Sequence, residues 1–262
     1  MNVAGQISAA RPAWCPEGEW QLRCELAATY HVFDHLGWTE SIFNHITVRV
    51  PGPEKHYLIN PFGLNYNEVT ASNLIKIDLD GRALSPTEHP VNRAGFIIHS
   101  AVHGARADAH CIIHTHTDTG MAVACAEEGI SHDNFYGAQL FGRVAYHSFE
   151  GITVHADEQP RLIDSLGSKN VLVLRNHGLL VVEDSLPKAF WLVWTLQRAC
   201  DIQCASQSLA GRRTPLSDAV REASAYDGEH FDPDGKLGQK MLDAAIRRME
   251  IARAGTTVDF RA

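Results

Sequence analysis

The stretch from Ala109 to Thr117 ends an apolar run with two imidazoles, His114 and His116, set two residues apart. In a β-strand the side chains alternate between faces, so these two rings share a face roughly 6–7 Å apart while Thr115 points the other way. Two imidazoles at that separation reach one metal ion. A second run, Asn170 to Gly178, repeats the design: a buried-strand pattern that ends in His177 and a turn-permitting glycine, which makes His177 the third candidate ligand. Three neutral imidazoles around a divalent ion leave at least one position open, the pattern of catalytic rather than structural zinc. The competing reading is chance, since a chain with 15 histidines will throw up some H-x-H pairs. Both histidine sites, however, terminate buried strands, where loops gather binding sites, and this favours the metal.

The elements that must position these residues are legible from periodicity. Leu22, Leu26, Tyr30 and Phe33 predict a helix over Glu17 to Leu36, stopped by Gly37. Ile46–Val50 and His56–Asn60 read as a hairpin around a Pro-Gly-Pro turn, and Leu74 to Leu79 as a third strand. Phe96, Ile97, His99, Val102 and His103 predict a helix between Val91 and Arg106 that feeds directly into the H-x-H strand. His99 and His103 are one helical turn apart, a spacing that can bind metal, but packing or hydrogen bonding behind the ligands is the expected use of His99. Thr117 and Asp118 can cap a short helix through Glu127. Asp184 to Pro187 starts the longest helix, which runs to Gly211. Residues 212–238 are polar and contain glycine and proline, and Met241 to Ala252 predicts a last amphipathic helix. Residues 1–16 read as a loosely ordered arm suited to ordering on a neighbouring subunit.

At 262 residues and 45% hydrophobic, the chain can bury one substantial core. A formal charge of −8 without a run of lysine or arginine argues against nucleic acid and against an anionic membrane, leaving small molecules or protein partners. Cysteines at 15, 24, 111, 125, 200 and 204 form no C-x-x-C pair, so free thiols in a reducing compartment are expected. With no 18-residue apolar span and no signal-peptide core, the expected location is cytoplasmic.

The three histidines, the order helix, hairpin, helix, H-x-H strand, and the string Arg175-Asn176-His177-Gly178 together resemble the class II aldolase and adducin family over about residues 20 to 211. Phe43 to Thr47, Pro61 to Leu64, Ala94 to Phe96 with His99 to Ala101, and Leu174 to Leu179 look closest to its adducin-like branch. The resemblance implies an α/β fold of three α/β/α layers around a single mainly antiparallel sheet. It further implies a homotetramer with active sites between subunits and a divalent metal, zinc first, at His114, His116 and His177. The domain plan that follows is an arm at 1–16, an aldolase-like domain at 17–211 and a C-terminal extension with a helix at 212–262. Asn44, Gly63 and Arg93 fall at positions that contact substrate in the family.

The departures bear on the activity. Sugar-phosphate aldolases of the family carry a general-base glutamate where this chain has Gly95, and a glycine cannot take a proton. Their phosphate-holding serines line up with Arg93 and Ala94, and bulky Phe43 and Phe62 fill space a phosphate needs, so a substrate without phosphate is expected. Residues 131–137 resemble the segment of ribulose phosphate 4-epimerase that supplies its proton-transferring aspartate, which places that role on Asp133. A solvated loop carboxylate or helix cap is the alternative for Asp133. Tyr136 is either a proton donor reaching from the neighbouring subunit or a half-buried core aromatic, and Glu150 is a further acid nearby. Retro-aldol cleavage needs a base, whereas decarboxylation needs an electron sink and then an acid, so the missing glutamate favours decarboxylation within a metal-dependent carbon–carbon lyase. The rival expectation is a non-catalytic adducin-like interaction protein. The long basic tail of adducins has no counterpart in residues 212–262, which favours the enzyme.

Overall fold

The computed structural model describes residues 11–254 and 259–262. The first helix, α1 (Glu17–Leu36), buries Trp20, Leu26, Tyr30 and Phe33 and stops where Gly37 takes the left-handed conformation at φ 72°. Three antiparallel strands follow, β1 (His45–Arg49), β2 (Tyr57–Ile59) and β3 (Ile75–Ile77), at the places expected for the hairpin and third strand. Next come α2 (Arg93–Ala105), β4 (Cys111–Thr115), α3 (Asp118–Cys125), the one-turn α4 (Phe135–Ala138), β5 (Val144–His147) and α5 (Gln159–Leu166). The chain continues through β6 (Val171–Leu174), β7 (Gly178–Glu183), α6 (Leu186–Gln207), α7 (Asp218–His230) and α8 (Leu237–Ala252).

The strands form one sheet in the order β3-β2-β1-β4-β7-β6-β5, with β5 and β6 its parallel pair. Ile46, Val48, Cys111, Ile113, Val171, Val173, Leu179 and Val181 point to one face, where they pack with α1, α3, α6 and α8. Ile112, Leu172, Leu174, Leu180 and Val182 point to the other, against Ile98 and Val102 of α2 and Leu162 and Leu166 of α5. The fold is therefore α/β in three layers, and burial on both faces explains why β4, β6 and β7 are continuous apolar runs rather than alternating ones.

The polar stretch 212–238, where the sequence suggested no helix, contains α7. None of its residues is buried, so no apolar stripe marks it. The last helix, α8, begins at Leu237, earlier than the expected Met241, and sends Leu242, Ile246 and Met249 into the core shared with α1 and α6. The chain end then returns to the body, where the Ala71 and Ser72 amides donate to the Phe260 and Ala262 carbonyls at 2.9 and 3.0 Å. Of the arm expected over 1–16, positions 1–10 lie outside the described residues. At its other end Cys15 is fully buried beside Trp20, Cys24 and Ala71. Among the described residues all six cysteines are free, and no helix is long and apolar enough to cross a membrane.

Candidate metal centre

Each of the three histidines owes its place to a different local device. His114 sits in central β4, opposite His45 of β1 and Leu180 of β7, so its ring projects on the α2 side of the sheet. His116 lies just past the strand, held by Thr117, whose hydroxyl caps α3 by accepting from the Gly120 amide at 3.3 Å. His177 occupies the tight turn from β6 to β7, where Asn176 adopts a left-handed φ of 54° that lets the chain reverse. The three candidate ligand atoms lie within 4.8 Å of one another, and the ring centroids are 4.6 to 4.9 Å apart. Gly178 is required by this geometry, because a Cβ there would stand 2.6 Å from the Thr115 carbonyl oxygen and 2.8 Å from the His116 ring.

Hydrogen bonding fixes how the rings present themselves. His114 Nδ1 donates to the Leu179 carbonyl at 2.9 Å, which leaves its Nε2 lone pair facing the other two rings. The Nε2 atoms of His114 and His116 approach to 2.8 Å. Burial, reinforced by the neighbouring rings, holds His114 far below the usual histidine range. Burial first and His177 second push His116 down to about 4. His177 is lowered by the same burial, with a smaller push from His147. All three are therefore neutral near pH 7, the ligand form, with no proton to displace before an ion binds. An all-imidazole donor set of this spacing fits zinc and its borderline neighbours.

Behind the triad stands a relay from α2. His103 Nδ1 donates to the Ala109 carbonyl at 2.8 Å, so its Nε2 must accept from the Thr47 hydroxyl at 2.8 Å. Thr47 then accepts from His99 Nδ1 at 2.6 Å, leaving the lone pair on His99 Nε2. His99 thus bonds to Thr47 and is not one of the three converging rings. That buried Nε2 has no partner, and neither do both ring nitrogens of His45 or both amide atoms of Asn44. Asn44 is 2% and His45 3% exposed. These five atoms belong to three neighbouring buried side chains, with the His45 and His99 ring centroids 4.4 Å apart. His45 was missed by reading the sequence, because its relation to His114 is set by cross-strand register rather than by spacing.

The other expected site residues are spread more widely. Gly63 is exposed at φ 102°, and Arg93 is exposed in the first turn of α2. Phe43, half exposed, lies 6.1 Å from Phe62 between ring centroids, and Phe149 lies 6.4 Å from His177. Asp133 and Tyr136 line a cavity of about 700 Å³ between α4, α6 and α7, with Trp191, Trp194 and Phe231, and none of the three histidines lines it. Asp133 accepts from Arg221 at 2.6 Å and from the Leu216 amide at 2.9 Å, and these bonds hold its carboxyl below the usual range. Within one chain Asp133 ties the 131–134 loop to Arg221 of α7 and to the Leu216 amide. Tyr136 packs partly buried under the Arg198 guanidinium, and Glu150 is held by Arg161.

A family model described as the class II aldolase and adducin N-terminal domain matches residues 24–204. The chain belongs to the class II aldolase and adducin family. Alpha-adducin of Rattus norvegicus is 46% identical over 249 residues, which cover 89% of this chain and 34% of the adducin. An aldolase II superfamily protein from Pseudomonas syringae superposes with a TM-score of 0.88 at 39% identity, covering 95% of this chain and 98% of that one. An L-fuculose 1-phosphate aldolase from Glaciozyma antarctica shares the fold at a TM-score of 0.79 and 24% identity, covering 98% of this chain and 99% of its own.

Proposed function

We propose that each subunit binds one divalent ion, zinc first, through His114, His116 and His177. We propose further that the protein is a carbon–carbon lyase, aldolase or decarboxylase, for a small non-phosphorylated hydroxy-carbonyl or hydroxy-carboxylate substrate. The observation that carries this reading is the convergence of three neutral imidazoles beside five unpaired buried polar atoms. A bound ion supplies the positive charge that stabilises electron density left on oxygen when the neighbouring carbon–carbon bond breaks. The buried Asn44 amide supplies polar atoms against which the substrate's oxygens are oriented. Phe43, Phe62 and Phe149 form an aromatic rim that suits a carbon skeleton and shields the reacting atoms from water.

The same rim argues against sugar phosphates. L-Fuculose 1-phosphate is expected to be turned over with kcat/KM below about 10⁴ M⁻¹s⁻¹, under the range of enzymes on their own substrates, in a steady-state cleavage assay. A value well above that would overturn the reading of Phe43, Phe62 and Arg93.

Proton transfer, in this proposal, crosses a subunit boundary of a homotetramer. In it Asp133 is the carboxylate that takes the proton at the neighbouring subunit's centre and Tyr136 is the donor. Asp133→Asn is expected to lower turnover by roughly 10²-fold with metal content unchanged. Full turnover with a lower melting temperature would confine Asp133 to its tie with Arg221. Six free thiols fit a cytoplasmic location.

A second reading, a non-catalytic interaction protein, draws on the 46% identity to alpha-adducin. Metal-free protein that turns over none of a panel of hydroxy-keto acids and hydroxylated aromatic carboxylates would favour it.

A further inference from the structure

Cross-strand pairing places His45 directly opposite His114, on the face of the sheet that carries the metal centre. Its ring centroid lies 5.3 Å from that of His114 and 4.4 Å from that of His99. The Cε1, Nδ1 and Cγ atoms of His45 stand 2.7 to 2.8 Å from where a Cβ on Gly95 would be. Real Cβ contacts do not come so close, so the His45 ring and any side chain at position 95 exclude one another. The imidazole fills the volume that a glutamate at position 95 would enter.

We propose that His45 is a substrate-contacting residue of this centre, with Gly95 as the position that makes room for it, and that the pair selects a ligand carrying hydroxyl and carbonyl oxygens. The proposal rests on the metal reading above and adds to it the identity of the polar group facing the ligand. A neutral imidazole presents one N–H donor and one lone pair in either tautomer, and the Asn44 amide likewise presents both kinds. His99 Nε2 adds a further lone pair. A socket of mixed donors and acceptors matches a hydroxyl, which donates and accepts, next to a carbonyl, which accepts. Fully ionised phosphate only accepts and would leave the lone pairs of His45, Asn44 and His99 unpaired in a buried place.

The test uses the full chain loaded with cobalt(II), whose visible spectrum reports the ligand set. Acetohydroxamate serves as the probe, since its adjacent oxygens can chelate an ion as a hydroxy-carbonyl compound does. Wild type and His45→Ala are each expected to take up one cobalt with the same spectrum, while the variant binds acetohydroxamate at least about tenfold more weakly. His45→Gln, which keeps size and hydrogen-bonding atoms, should recover part of that loss. Gly95→Ala should weaken the probe by a similar factor, and the double variant should be no weaker than His45→Ala alone, because the two changes act through one ring.

Equal probe affinity in wild type and His45→Ala, at full cobalt content, overturns the role of His45 and leaves the metal reading intact. Loss of cobalt from His45→Ala also overturns it, by making His45 a ligand. Additive effects of His45→Ala and Gly95→Ala would assign both to general packing. Wild-type protein that takes up no cobalt overturns both the metal reading and this inference.

Discussion

Replacing His114 by alanine is expected to release the metal ion and lower turnover on the natural substrate by on the order of 10³-fold or more, since the ion is asked to supply several kcal/mol of charge stabilisation. The size of the effect follows from the position of His114. Its Nε2 faces both other rings, its Nδ1 is locked to the Leu179 carbonyl, and its ring touches the His45 socket. Removing it also empties a fully buried ring volume and takes away the bond to the Leu179 carbonyl, so a folding control is needed. His177→Ala provides one: His177 sits on a turn and is only partly buried, so it should lose metal with a smaller drop in melting temperature. Metal content by elemental analysis, read beside thermal melting of both variants, checks the expectation. Full metal retention by either variant would remove that histidine from the ligand set.

The second large effect is expected at a residue with no functional group. Gly178→Ala places a methyl 2.6 Å from the Thr115 carbonyl oxygen and 2.8 Å from His116. The oxygen belongs to the backbone of central β4, so relief requires β4 and β7 to separate locally or His116 to swing away. Stability should fall by about 1–3 kcal/mol, as for other overpacked sites. Metal affinity should fall by roughly 10- to 100-fold, as when the support of a ligand is disturbed. Calorimetric titration of the metal-stripped variant with zinc measures this. Wild-type affinity and melting temperature would show that the turn relaxes freely and that Gly178 has no part in shaping the centre.

The triad was legible in the sequence because it obeys local rules. Two rings at period two on a buried strand, and a third at the end of another apolar run, declare themselves without any knowledge of tertiary structure. The same holds for α1, whose stripe and Gly37 stop are both local, and for the hairpin of β1 and β2. What escaped was set by long-range pairing or lacked a pattern. Strand β7 went unassigned because it follows β6 across a turn of only three residues, made possible by the positive φ of Asn176. Helix α7 carries no buried residue and so no apolar stripe. His45 resembles any strand histidine until the register 45 to 114 is known. The bond from Arg221 to Asp133 escaped because Arg221, 88 residues away, belongs to the very helix the sequence concealed.

His114, His116 and His177 are proposed to hold one divalent ion. Elemental analysis of purified protein, followed by X-ray absorption at the edge of the metal found, tests it most directly. The account predicts about one ion per subunit and, for zinc, a first shell of nitrogen and oxygen at about 2.0–2.1 Å with no sulfur. Less than about a tenth of an ion per subunit, not restored by incubation with zinc, cobalt, manganese or iron, would contradict it.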